Sequence, residues 1–267
     1  MTLLFAHPID PDVRKRIEDE LLLIEQQHEV RVLFACESGS RGWGFASPDS
    51  DYDVRFIYVH KLDWYLRVEP QRDVIELPIN DELDISGWEL RKTLQLLHRS
   101  NPTLQEWLSS PVVYRQHAMH TQTLRTLAHE FFFLLRGRHH YLAMAHKNFR
   151  GYLQDEVVRY KKYLYVLRPL LAVKWIDAGL GVPPMRFADL AAATLTDSAL
   201  LAEINALLAV KMRAGEADTG PRWPLIHAFI EQELAISERD TDYKKPSGND
   251  QALDAFLQRV ILGSPTD

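Results

Sequence analysis

The sequence predicts an α+β fold: a small mixed β-sheet domain over residues 1–112, followed by an α-helical bundle domain over residues 113–267. Three observations predict it. Short β-branched and aromatic runs bounded by glycine, proline and aspartate dominate the first part of the chain. Past Ser109-Ser110-Pro111 nearly every stretch repeats its apolar residues at i, i+3 and i+4. A length of 267 residues, 46% of them apolar, suffices for about two domains with substantial cores.

Pro11 to about Glu29 carries Val13, Ile17, Leu21 and Ile24 at helical spacing among charged residues, so a helix should pack on the sheet. VRVLFACE from Val30 and DVRFIYV to Val59 read as buried strands, joined by the turn GSRGWGFASPDSDYD at residues 39–53. Arg72 to Ile79 and Leu83 to Ser86 suggest a further strand pair about an Asn80-Asp81 turn. Gly87 to His98 returns to a period near 3.6 through Leu90, Leu94 and Leu97, and Asn101-Pro102 reads as the N-cap and first turn of a helix ending near Leu108. Helical segments follow near 119–135, 138–178, 197–213, 222–238 and 250–261, with a polar loop at 240–249. Pro169 is expected to kink or divide the longest, since it lacks an amide donor and clashes one turn back.

A net charge of -6 argues against a whole-protein electrostatic grip on nucleic acid, so any polyanion contact must be local. The single cysteine, Cys36, cannot form an internal disulfide and should pack as a small hydrophobe. The N-terminus lacks the basic region of a signal peptide and no run approaches eighteen apolar residues, so the expectation is a soluble cytoplasmic protein without a membrane partner. His139, His140 and His146 lack a carboxylate or cysteine companion and do not make a zinc site. Arg91 and His98 match a loose ribonuclease spacing that chance accounts for.

Residues 39–53 carry the chemistry. Gly39, Gly42 and Gly44 are three of the chain's twelve glycines, placed where backbone amides could approach an anion. Asp51 and Asp53 stand two apart at the head of a strand, so alternation points both side chains to one face. Two carboxylates about 4 Å apart repel by roughly 4 kcal/mol at an effective dielectric near 20, a cost that a shared divalent cation reverses. Such residues also make ordinary solvated turns. Gly39-Ser40, a spacer and Asp51-x-Asp53 between two buried strands is a combination with few uses.

In that combination the chain resembles nucleotidyltransferases of the DNA polymerase beta superfamily, whose signature is Gly-Ser, about ten residues, then Asp-x-Asp. The wording GSRGWGFASPDSDYDVRFIYV, followed by LDWYL, LDISGWEL and KKYLYVLRPLLAVKWI, is similar to the RlaP family of predicted nucleotidyltransferases linked to RNA repair. The resemblance covers most of the first 180 residues. It implies Mg2+ or Mn2+, a nucleoside triphosphate substrate, and Ser40 and Gly39 as phosphate contacts. Arg41 would touch phosphate, brace the aspartates or form a structural ion pair. For a third carboxylate, spacing leaves Asp84 with Glu76 and Glu82 as rivals, and the resemblance favours Asp84.

Residues 136–174 hold nine Lys or Arg against two acids, with five of the ten tyrosines. Tyr160, Tyr163, Leu164, Leu167 and Leu171 share an apolar helix face. Lys161, Tyr165 and Arg168 share another, so one ring lies between two cations. Lys161, Lys162 and Tyr165 are candidate nucleotide contacts, against the plainer reading of a solvated face. The expected reaction moves a nucleoside monophosphate from the triphosphate to an acceptor hydroxyl, releasing pyrophosphate. The acceptor is an RNA end, a protein or a small molecule. The alternative is a catalytically inactive nucleotide-binding or antitoxin-like module, against which the intact carboxylate set argues.

Overall fold

The computed structural model describes residues 3–79, 82–213, 218–236 and 243–263; the expected Asn80-Asp81 turn lies outside them. The chain forms two compact units. One comprises Pro8–Gly42, Asp51–Phe132 and Lys245–Asp267, the other Met1–His7, Trp43–Ser50 and Phe133–Lys244. These units do not follow the compositional division after residue 112, because the segment 43–50 groups with the helices while residues 113–132 and the C-terminal segment group with the sheet.

The first unit is built on a five-stranded mixed sheet. Its strands are β1 (Val30–Glu37), β2 (Tyr52–His60), β3 (Val74–Glu76), β4 (Leu83–Glu89) and β5 (Val113–Gln116), in the order β3-β4-β2-β1-β5. Only β2 and β4 run parallel. Helix α1 (Pro11–His28) begins because Asp10 accepts hydrogen bonds from the amides of Asp12 (2.8 Å) and Val13 (3.2 Å), with Pro11 supplying a pre-set φ. It buries Val13, Ile17, Leu21 and Ile24 against Val32, Val54, Phe56, Tyr58 and Ile85 on one sheet face.

The opposite face carries Leu33, Phe34, Cys36, Ile57 and Val59. It is covered by α4 (Leu90–His98), α5 (Pro102–Leu108), α6 (Ala118–Phe131) and α12 (Asp250–Leu262). A register shift between Val32 and Phe34 places two successive residues, Leu33 and Phe34, in this second core. Cys36 is fully buried, as expected, and burial raises its thiol pKa. Two short helices, α2 (Gly39–Trp43) and α3 (Leu62–Tyr65), flank β2 in sequence.

One boundary differs from the sequence reading. Strand β4 continues through Gly87 and Trp88, and the helix begins only at Leu90, where the Glu89 carboxylate accepts from the amides of Arg91 (2.6 Å) and Lys92 (3.4 Å). Gly87 pairs with Phe56 across the parallel ladder, and a side chain on it would collide with the Phe56 ring. Helical periodicity from Leu90 onward masked this tertiary requirement.

The second unit contains α7 (Leu134–Tyr152), α8 (Tyr160–Asp177), α9 (Phe187–Thr194), α10 (Ser198–Arg213) and α11 (Pro224–Ile236), with a small antiparallel pair of β6 (Val157–Arg159) and β7 (Thr219–Pro221). Its core gathers Phe45, Tyr163, Leu164, Leu167, Leu171, Phe187, Ile204 and Ile230. Pro169 lies inside an unbroken α8; the expected 138–178 helix divides at residues 153–159 instead, where Val157 and Val158 pair with Pro221 and Gly220. Among the described residues no helix is long and apolar enough to cross a membrane.

Candidate functional site

The site grows from the ends of β1, β2 and β4. Gly39 opens the turn with φ +54°, a left-handed conformation costly for residues bearing a Cβ. A methyl group built on it would stand 2.7 Å from Asp53 Cγ and closer still to Oδ2, so glycine lets the carboxylate lie directly over the turn. The Ser38 amide donates to the Asp53 carbonyl (2.8 Å) and the Gly42 amide to the Ser38 carbonyl (3.0 Å). Ser40 is buried within the same turn.

Glu37, which sequence reading passed over, supports Asp53 from below. Its carboxylate is fully buried, accepts the Asp53 amide at 2.8 Å and accepts the Tyr114 hydroxyl. Burial pushes the Glu37 pKa up to about 7; the Tyr114 and Asp53 hydrogen bonds oppose that rise, and the charge of Asp53 adds to it.

Arg41 is a brace. Its buried guanidinium donates to the carbonyls of Pro8 (2.7 Å) and Asp51 (3.2 Å) and lies 3.8 Å from the centre of the Tyr52 ring. These contacts fix the backbone at Asp51, whose own side chain is exposed immediately before β2. Two buried donors committed to carbonyls make Arg41 a holder of the turn, in keeping with the bracing role that the sequence offered beside a phosphate contact.

Asp53 and Asp84 are partners in the parallel register of β2 and β4. Both are about 30% exposed at the side chain. Arg55, two residues beyond Asp53 and therefore on the same face, completes the group. Its Nη2 donates to Asp53 Oδ1 at 3.0 Å and to Asp84 Oδ2 at 2.6 Å, while Nη1 donates to the carbonyls of Val54 (3.0 Å) and Asp84 (2.8 Å). The alternation that links Asp51 to Asp53 reaches Arg55 in one more step, and that signal was available in the sequence. The rivals for the third carboxylate point elsewhere: Glu76 pairs with Arg72 and Glu82 with Arg16.

The other expected contacts belong to the second compact unit. Lys162 Nζ lies 3.8 Å from the Tyr152 ring centre and 5.0 Å from that of Tyr165, and Tyr165 meets Trp43 edge-on at 5.5 Å. Arg168 is buried, donates to the Met185 carbonyl at 3.1 Å and stacks over Trp43. Of the three residues expected to share a face, Lys161, Tyr165 and Arg168, the last serves the core of that unit.

Does this oxygen set fit a divalent cation? Asp53 and Asp84 converge on one cationic atom, the Arg55 Nη2, and present hard oxygen donors of the kind Mg2+ and Mn2+ prefer. Among the described residues no group of three or more His, Cys, Asp or Glu is drawn together around a metal position. The pair fits; Asp51 stands close in sequence without joining it.

Comparison with known proteins gives three similarities. The sequence model of RlaP, described as RNA repair pathway DNA polymerase beta family, matches residues 13–259. A Bacillus subtilis (strain 168) protein named "Uncharacterized protein YcgL" is 51% identical over 253 residues, 94% of this chain and 96% of that one. A crystal structure of a nucleotidyltransferase-like protein from Exiguobacterium sibiricum 255-15 superimposes with a TM-score of 0.33 at 13% identity, over 93% of this chain and 81% of that one.

Proposed function

The chain belongs to the RlaP family, the RNA repair pathway DNA polymerase beta family, and from that premise we propose that it is a metal-dependent nucleotidyltransferase. It moves a nucleoside monophosphate from a nucleoside triphosphate to an acceptor hydroxyl, releasing pyrophosphate; the family's description favours an RNA end as acceptor. The observation that carries this reading is the in-register pairing of Asp53 with Asp84 beside the Gly39-Ser40 turn.

Asp53 and Asp84, with Asp51, would hold Mg2+ or Mn2+, which neutralises triphosphate charge and lowers the acceptor hydroxyl's pKa. Gly39 admits the phosphates close to the backbone, and the Ser40 hydroxyl and amide donate to the terminal ones. Asp84 accepts the proton as the acceptor oxygen bonds to the α-phosphorus. The bond from that phosphorus to the bridging oxygen breaks, and the electron pair leaves with pyrophosphate. Lys161, Lys162 and Tyr165 remain candidate nucleotide contacts on the strength of their charge and aromatic character.

Calorimetric titration of the four ribonucleoside triphosphates, with and without Mg2+, into wild type and Asp53→Asn tests the proposal. Magnesium-dependent binding by wild type, with binding and transfer reduced about 100-fold or more in a folded Asp53→Asn, is the expected outcome. Full transfer by the variant would reject the metal role of Asp53. Absence of binding under every condition would instead favour the partner-binding module.

A further inference from the structure

The carboxylates of Asp53 and Asp84 already share a cation. Arg55 bridges them through a single nitrogen, 3.0 Å from Asp53 Oδ1 and 2.6 Å from Asp84 Oδ2, and its second terminal nitrogen is held by the Val54 and Asp84 carbonyls at 3.0 and 2.8 Å. Four acceptors engage one planar fork, an arrangement that the three-donor point charge of a lysine cannot reproduce. Every acceptor belongs to β2 or β4, so the placement follows from the sheet register and not from a loop. The arginine side chain is only 17% exposed.

A magnesium ion bridging the same two oxygens needs roughly 2.0–2.1 Å to each. That volume coincides with the Arg55 Nη2, and a full positive charge beside it would repel the ion. Guanidinium and bare cation therefore exclude one another at this pair. Displacing the guanidinium strands a charge unless a new anion meets it, and a triphosphate, which arginine recognises through the same fork geometry, is such an anion.

We propose that Arg55 is a positioning residue that competes with the free divalent cation for the Asp53–Asp84 pair, so that the site takes its metal together with the nucleoside triphosphate. This inference rests on the nucleotidyltransferase reading above and deepens it: the ligand admitted is the metal–nucleotide complex, and the bare ion is disfavoured. Loss of the charge alone would raise cation affinity in Arg55→Ala, whereas occupation of the ion's position by the guanidinium requires that Arg55→Lys, which keeps the charge and loses the fork, gain affinity as well.

The test is titration of Mn2+ followed by its free-ion paramagnetic resonance signal, in wild type, Arg55→Ala, Arg55→Lys and the double variant Arg55→Ala/Asp84→Asn. Without nucleotide, Arg55→Ala should bind Mn2+ at least tenfold more tightly than wild type, and Asp84→Asn should remove that gain. A nucleoside triphosphate should tighten Mn2+ uptake by wild type more than by Arg55→Ala. Equal or weaker Mn2+ binding by Arg55→Ala or by Arg55→Lys overturns the proposal. Should circular dichroism show Arg55→Ala unfolded, Arg55→Lys alone decides: tighter binding than wild type supports competition, and equal or weaker binding rejects it. Wild type that takes up Mn2+ with nucleotide while neither Arg55 variant gains affinity sinks this inference alone. If no protein takes up Mn2+ with any of the four nucleotides, the nucleotidyltransferase reading fails and carries this inference with it.

Discussion

Gly39→Ala is the sharpest probe of the turn. The new methyl carbon would stand 2.7 Å from Asp53 Cγ, and ordinary carbon–carbon contact begins near 3.5 Å, so the Asp53 carboxylate must withdraw by about 1 Å. The backbone cannot carry that motion, because the Asp53 amide is bonded to Glu37 and its carbonyl to the Ser38 amide. The side chain must rotate instead, breaking its 3.0 Å bond to Arg55 and leaving its rotamer well at a cost of roughly 1 kcal/mol. The left-handed φ of +54° adds about 1 kcal/mol of its own. Gly39→Ala should therefore lose about 2 kcal/mol of stability and remain folded. A 1 Å displacement of a reacting group is also worth about 100-fold in rate.

The assay is a double-mutant cycle by urea denaturation with Asp53→Ala, together with pyrophosphate release for Gly39→Ala alone. In the Asp53→Ala background the alanine should cost only the φ contribution, about 1 kcal/mol, leaving a coupling of about 1 kcal/mol between the two positions. Zero coupling would refute the reasoning, since it would mean that the carboxylate's position over the turn does not require glycine. Wild-type pyrophosphate release by Gly39→Ala would refute the link from that position to activity.

Two further outcomes test the frame around the site. Gly87→Ala should cost about 1–3 kcal/mol in chemical denaturation because its methyl enters the ring of fully buried Phe56, and a loss below 0.5 kcal/mol would show the strand able to yield there. His60 has its pKa lowered to about 4, by burial first and then by repulsion from His28 and Arg67, against an unfolded value near 6.5. A lowered folded pKa means that the imidazole's contribution is fully present above about 6.5 and is lost as the pH falls toward 4. Discounted for partial solvent screening, wild type should lose about 1 kcal/mol more than His60→Gln between pH 7.5 and pH 5, and parallel stability profiles would remove this assignment.

Helix α1, the strands on either side of the glycine turn and the Asn101 cap were legible in the sequence because each is set by neighbours a few residues apart. Apolar spacing of 3.6 or 2, a capping side chain and a proline in the first turn are local signals, and Asn101 does accept the Leu104 amide at 3.1 Å. The same local logic placed Asp53 on the strand next to the turn. It misjudged the start of α4, where a glycine required by Phe56 belongs to the strand, and it placed Arg168 on one face with Lys161 and Tyr165, where the Met185 carbonyl and Trp43 hold it in a core.

What the sequence alone determined is the chemistry on offer: glycines that permit a close approach, and carboxylates alternating along a strand. Only the tertiary structure decided which groups meet. Asp53 faces Asp84 because β2 and β4 pair in parallel and in that register, across an intervening chain whose composition does not specify either choice. Arg55 between them, and Glu37 beneath, follow from that pairing. Alternation names the face of a strand to which a side chain points, whereas the identity of its neighbour depends on pairing between distant segments, which a local pattern does not encode.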